Sequence, residues 1–388
     1  MMQKQKIIAI IGGNAAGAAA AANAKKLYPD YNVILFEKSN YISTGTCEIP
    51  LVISGILTKD KIIFFDKETF KTHKGVEVFF NCEVVNIDQN KKNIEYYDVE
   101  NQILRNIAYD KIILATGSVT NIPEIFNKNY DNLFQIKNIT LLDKLLNYIH
   151  NNKIHSVAII GSGYIALETA EAFRSLNTEV TLYQDEKFPA LLKDNDVNDF
   201  VKNLLQKCSI EYQEYKNIKI IEKENSIQAL KVNSEIKKHD IYIISTGFKP
   251  NSILASSLSL RLSVNDSIFT NNYLHTNVKD ILAAGDCTHY YDFFTKLPIY
   301  LPFASLARFS AYTATKNLFS HNEIFQPIIR NSVFKFCNYT FAQVGLSKQE
   351  QLERNIWTKE IKVWHENKIP IMFDKLKILL NCLLIKII

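Results

Sequence analysis

The sequence predicts an α/β fold with two strand, glycine-loop, helix, strand units and a third, shorter α+β region after them. Three observations carry this reading. "KIIAIIGGNAAGAAAAANAKKL" followed by "NVILFEK", and "SVAIIGSGYIALETAEAFRSL" followed by "EVTLYQD", each join an unbroken apolar strand to a glycine turn, a helix and a second strand. The interval from first glycine to the end of the second strand is close in both, Gly12 to Glu37 and Gly161 to Gln184. Finally, "KIILATGS" is echoed by "IYIISTGFKPN", as expected of a duplicated architecture.

Length and composition bound the alternatives. At 388 residues and 47% hydrophobic, the chain is globular with two or three domains. Six cysteines without regular spacing exclude a secreted disulfide framework, and the lack of any CxxC argues against structural zinc. No histidine pairing suggests a metal. The net charge of +5 is spread among acidic residues with no basic block, which argues against nucleic-acid binding. The N-terminus imitates a secretory leader, but its apolar run "IIAII" stops after five residues at two glycines. No run reaches the roughly 18 apolar residues of a membrane helix. The tail "LKILLNCLLIKII" reads as an interface strand. A cytoplasmic enzyme without a membrane partner is expected.

Taken in order, the first glycine turn offers Gly12, Gly13 and Gly17, with Asn14 where the strict pattern has its middle glycine. Such a turn needs glycine for its bend and a small residue where backbone meets a pyrophosphate, and the helix N-terminus then faces the anion. Glu37 ends the following strand and suits a ribose diol. Short strands follow in "VEVFFNCEVVNID", "NIEYYDV" and "YDKIILATGS". The second turn offers Gly161, Gly163 and Ala166. Its strand ends in neutral Gln184, then Asp185, with Lys187 nearby; this permits a 2′-phosphate and tilts the choice toward NADPH, with NADH open. Two such units make Rossmann-like dinucleotide-binding domains. In "AAGDCTHY", Gly285 and Asp286 end a strand where a carboxylate can bind a polyhydroxyl chain. From about Ile324 the text changes to the third region.

These motifs in this order resemble the FAD-dependent pyridine nucleotide–disulfide oxidoreductases, from about Ile7 to Leu346. The resemblance implies an FAD-binding domain at 1–120 and 240–322, an NAD(P)H-binding domain at 121–239, and a C-terminal dimerisation-like domain at 323–388. It implies that Gly12, Gly13, Ala15, Ala16, Gly17, Glu37, Lys38, Val84, Ala115, Thr116, Gly117, Gly285 and Asp286 contact FAD. Gly161, Gly163, Tyr164, Ile165, Gln184, Asp185 and Gly247 would serve the nicotinamide nucleotide. "FEKSNYISTGTCEIPLVISG" resembles the single-cysteine branch, most like coenzyme A disulfide reductase, because Val52 stands where a second cysteine would be.

On that resemblance Cys47 is the redox-active residue, borrowing its exchange partner from the substrate. The apolar run after it reads as a helix whose N-terminus lowers the thiol pKa, with Ser43 or Thr44 near the cap. Asn23, Lys26, Ser43, Thr46, Lys74 and Arg308 fall where the family binds its phosphate-rich substrate. A homodimer is implied. Departures are Glu48, whose carboxylate should raise the Cys47 pKa, Leu51 for an aromatic, and a C-terminal region shorter than the family's, without its tyrosine-bearing segment. Alternatives are an NADH oxidase working through a cysteine sulfenic acid, and a weakly active flavoprotein. Cys82, Cys208, Cys287, Cys337 and Cys382 read as small apolar packing residues, and His289 and His365 as structural.

Overall fold

The computed structural model describes residues 6–186, 195–320, 322–356, 358–366 and 377–385. Each glycine-loop strand lies third in a five-stranded, wholly parallel sheet. The first sheet runs Ile281–Ala283, Lys111–Leu114, Ile7–Ile11, Asn32–Phe36, Glu77–Phe79. The second runs Leu133–Gln135, Ile241–Ile244, Ser156–Ile160, Glu179–Asp185, Ile210–Tyr215. Parallel sheets covered on both faces need apolar residues at successive positions, which is why these strands read IIAII and SVAII without alternation. "KIILATGS" and "IYIISTG" supply equivalent strands, second in each order.

The duplication goes further than the sequence motifs. Each unit carries a three-stranded antiparallel meander at the same point in its order. One is Cys82–Asp88, Asn93–Asp98, Ile103–Ala108; the other is Ile218–Lys223, Ser226–Val232, Glu235–Lys237. A ribbon joins the units: Ser118–Thr120 pairs antiparallel with Phe248–Pro250, so the two echoing motifs meet in space.

The alanine run of the first unit forms the helix Ala15–Leu27. Its buried Ala20, Ala21 and Ala24 share one core with Ala307, Ala311 and Ala314 of the helix Ala304–Lys316. Small side chains let the two backbones approach closely, and a larger residue would overpack the seam. The leader-like text is therefore a helix–helix contact.

The C-terminal region holds the hairpin Asn331–Phe336 with Tyr339–Val344, the helix Lys348–Glu353 and the hairpin Thr358–Glu366 with Lys377–Ile385. The tail is thus a strand. Arg330 anchors the region, donating to Asp292 at 2.9 Å and to Glu350 at 2.7 Å, both carboxylates buried. One expectation is corrected here: Cys208 and Cys337, read as separate packing residues, are joined in a disulfide. Their 129-residue separation hides the pairing, which arises only when the hairpin docks on the second unit. Cys82 and Cys287 are buried and free, as expected. The side chains of Cys382 and His365, and Lys187 itself, lie outside the described residues. Among the described residues, no helix is long and apolar enough to cross a membrane, and no cluster of three His, Cys, Asp or Glu side chains could hold a metal.

Candidate active site

The two glycine turns are built alike. Gly12 has φ +106° and Gly161 φ +114°, a region that L side chains avoid. A Cβ on Gly12 would strike the carbonyl oxygen of Ala115, and one on Gly161 that of Ser245. Each turn therefore backs onto the strand beside it. Glu37, at the end of the second strand, accepts the Gly13 N–H at 2.7 Å through one oxygen and the Ser39 N–H and O–H through the other. In the second unit the matching Gln184 is buried and accepts from the Ser162 hydroxyl at 2.5 Å.

The Cys47 segment is fastened to both units. Ser43 N–H donates to the Gly13 carbonyl at 2.9 Å, and Thr44 N–H donates to the Asn14 side chain at 3.1 Å. On the other side, Asp143 of the second-unit helix Ile139–Asn151 accepts from the Tyr41 hydroxyl and from Lys59, both at 2.6 Å. The strands Ile42–Thr44 and Ile63–Phe65 pair across the base. Ile49, Val52 and Ile53 of the short helix after Cys47 are buried in one core with Leu167 and Ala170 of the second-unit helix Tyr164–Ser175. Cys47 thus stands exposed at the seam between the units, as a free thiol.

Its local structure departs from expectation. Cys47 lies in a single 3₁₀ turn, Thr46–Glu48, capped by Gly45 without a side-chain bond; neither Ser43 nor Thr44 caps the helix Ile49–Ile53. The thiol pKa is pushed up rather than down. Burial of one side is the largest cause, followed by the carboxylates of Glu48, Glu168 and Asp286, with Lys137 opposing. A five-residue helix offers too little dipole to offset them. The upward pull expected of Glu48 is present. Its Oε2 is buried without a hydrogen-bond partner.

Beside the thiol lies a charged relay that sequence reasoning largely missed. Lys137 donates to the Ser118 hydroxyl at 2.5 Å, Ser118 donates to Asp286 at 3.1 Å, and Lys137 stands 4.0 Å from Asp286 and 4.0 Å above the Phe248 ring. Burial drives Asp286 up and Lys137 down, and each holds the other charged. Only Asp286 carried a motif; Lys137 sits in the undistinguished "QIKN". Glu168 was missed too: burial first, then Glu171, lifts its carboxyl to about 7.

The other expected residues are distributed as follows. Ala15, Ala16 and Gly17 open the first-unit helix, and Gly285 meets Ala16 from the strand that ends at Ala283. Val84 is buried in the first meander, Lys38 is exposed, and Ala115 is buried behind the first turn. Thr116 and Gly117 are bonded to Asn251 across the ribbon. Gly163 caps the second-unit helix, which begins with Tyr164 and Ile165. Gly247, φ +87°, accepts from the Asn121 N–H, and Asp185 ends its strand. Of the substrate candidates, Thr46 opens the turn that carries the thiol, Ser43 lies in the strand before it, and Asn23 is turned toward Thr315, to which it donates. Lys26 and Arg308 are exposed, and Lys74 extends over the Phe65 ring at 5.3 Å.

Comparison with known proteins agrees with this geometry. Residues 6–305 match the family model described as pyridine nucleotide-disulphide oxidoreductase. The chain is 30% identical over 352 residues to a Pyrococcus horikoshii protein named NAD(P)H coenzyme A polysulfide/persulfide reductase, covering 90% of this chain and 78% of that one. It is 28% identical over 346 residues to a Staphylococcus aureus coenzyme A disulfide reductase, covering 88% and 77%. The fold superimposes on the reduced Bacillus anthracis protein named CoADR-RHD with a TM-score of 0.91 at 24% identity, covering 98% of this chain and 69% of that one. The duplicated glycine turns, the ribbon between them and these matches lead to one conclusion: the chain belongs to the pyridine nucleotide-disulphide oxidoreductase family.

Proposed function

We propose that this chain is an FAD-dependent NAD(P)H oxidoreductase that reduces a low-molecular-weight disulfide, coenzyme A disulfide foremost, through Cys47. The observation that carries the reading is the free, exposed thiol at the seam of two dinucleotide units. The residues present fit FAD. The Gly12 turn is a cradle that a Cβ would fill, Glu37 at the end of the neighbouring strand would accept from a ribose, and mostly buried Asp286 would accept from a ribityl chain. The Gly161 turn would hold the nicotinamide nucleotide. Bound flavin supplies the passage of two electrons from NAD(P)H to sulfur.

The rest falls to the chain's own groups. The Cys47 thiolate attacks one sulfur of the disulfide, forming a mixed disulfide with Cys47 and releasing the first thiol. Reduction of that mixed disulfide releases the second thiol and restores the Cys47 thiolate. Lys137 steadies the thiolate and opposes the surrounding carboxylates. Glu48 Oε2, buried and unpartnered, would accept a donor from the bound substrate. Glu168, its carboxyl lifted to about 7 by burial and Glu171 and its charge felt by Cys47, would carry a proton for the departing thiolate. Lys26, Lys74 and Arg308, the basic residues the family resemblance assigns to the substrate, would meet its phosphates by charge. A cytoplasmic setting would supply the reduced nicotinamide nucleotide this chemistry needs, and the assembly the family resemblance implies is a homodimer.

The test is anaerobic NAD(P)H oxidation with coenzyme A disulfide. Turnover that ends with Cys47→Ser, in a protein that stays yellow, supports the reading. Consumption driven by O2 alone with no response to the disulfide rejects it and favours an oxidase.

A further inference from the structure

We propose that Cys208 and Cys337 form a redox-responsive pair, oxidised by low-molecular-weight disulfides, that fastens the C-terminal hairpin onto the second unit beside its helix Tyr164–Ser175. The pairing is set up by groups on that helix. Cys337, in the hairpin turn, donates its N–H to Glu171 Oε2 at 3.2 Å. The Cys208 carbonyl accepts from Arg174 Nε at 3.4 Å. One helix thus holds both cysteines, so the two sulfurs meet without a search. Both residues are half-buried, so a small thiol or disulfide can reach them.

The fastening bears on the nucleotide turn. Hairpin residue Phe334 stacks on Tyr164 with ring centroids 4.7 Å apart, and the Tyr164 hydroxyl lies 3.4 Å from the Ser332 hydroxyl. Tyr164 directly follows the Gly161 turn. A closed staple therefore buttresses the residue that opens this helix, and an open one leaves the hairpin held by packing alone. Disulfides in proteins of reducing compartments act as switches more often than as permanent braces.

The exchange rests on the proposed function for its oxidant, the substrate-class disulfide. One cysteine thiolate attacks that disulfide, forming a protein mixed disulfide and expelling one thiol. The second cysteine attacks the protein sulfur of the mixed disulfide, closing Cys208–Cys337 and expelling the second thiol. The protein pair loses two electrons and two protons, and the small disulfide gains them as two thiols. Excess thiol, the enzyme's own product, runs the exchange backward. Accumulated substrate thus tightens the nucleotide site, and accumulated product relaxes it.

The experiment uses full-length flavoprotein in a Cys47→Ser background, so that the proposed redox cysteine takes no part. The protein is equilibrated at set ratios of coenzyme A disulfide to coenzyme A, alkylated and mapped by peptide mass. The expected result is a Cys208–Cys337 cross-linked peptide that rises with the ratio and disappears in excess thiol. NADPH and NADH affinity, read by fluorescence, should be several-fold weaker in the thiol-treated protein. Cys208→Ser and Cys337→Ser should have that weaker affinity at every ratio. If either variant fails to fold, oxidised and reduced parent protein give the same comparison. Separate alkylation of both cysteines at all ratios overturns the proposal, as does equal nucleotide affinity in the two states. Loss of turnover in Cys47→Ser concerns only the proposed function, because the staple is read by mass and binding.

Discussion

At the residue scale, the account turns on how the surroundings of one thiol are charged. Burial and three carboxylates hold the Cys47 thiol above its ordinary pKa, and Lys137 pulls the other way. Glu48→Gln removes the largest charged contributor. Its alkylation-versus-pH curve should move to lower pH, with about tenfold faster reaction near neutrality for each unit the thiol pKa falls. Lys137→Met should move the same curve to higher pH. Iodoacetamide kinetics across pH 6 to 10 (roughly the span of perturbed thiols) check both, and coincident curves would remove the electrostatic reading. Cys47 and Glu48 were legible in the sequence because they are neighbours in it. Lys137, 90 positions from the thiol, acquired its role only through the ribbon that brings Ser118 and Phe248 beside it. No local pattern marks such a lysine.

At the scale of elements, what could be read in advance was what the backbone itself requires. Positive φ at Gly12 and Gly161 is a local demand that only glycine meets at low cost, so both turns were visible as text. Gly12→Ala should strain its turn by about 1–3 kcal/mol and yield colourless protein. Gly161→Ala should stay yellow and bind NAD(P)H at least about tenfold more weakly, the equivalent of about 1.4 kcal/mol. Absorbance and nucleotide titration of the two variants distinguish these outcomes; loss of flavin from both would contradict separate roles. The 3₁₀ turn at Cys47 was not legible, since "TCEIPLVI" is equally compatible with one continuous helix.

The helix Tyr164–Ser175 also predicts a pH dependence. Burial and Glu171 lift the Glu168 carboxyl from 4.5 to about 7, so the folded protein keeps a proton that the unfolded chain releases. The stability this group contributes is fully present below pH 4.5 and is lost as pH rises through 7. Thermal unfolding between those limits should show stability declining with pH from this source, and Glu168→Gln should flatten the slope. An unchanged slope in the variant would show that Glu168 does not titrate as described.

At the scale of the whole molecule, duplication is the organising fact. Both sheets, both central strands and both meanders repeat, and the exposed Cys47 thiol lies at the seam between the copies. Strand order was partly legible, because the echo of "ILATGS" in "STGFKPN" betrays equivalent positions. The fastening of the C-terminal region was not. Arg330 lies between Asp292 and Glu350 only after the hairpin docks, and Cys208 meets Cys337 by the same docking. Arg330→Met leaves the buried Asp292 carboxylate without its cation and should cost about 3–5 kcal/mol, seen as a lower midpoint in denaturant titration. A midpoint equal to the parent's would mean that the region is held some other way.

The central claim, that Cys47 exchanges with a small disulfide, is tested most directly by trapping. Protein incubated with coenzyme A disulfide in the absence of any nicotinamide nucleotide should gain one coenzyme A, released by dithiothreitol. Peptide mass should place it on the fragment containing Cys47. A label found only on another cysteine, or none at all on folded yellow protein, would contradict the account.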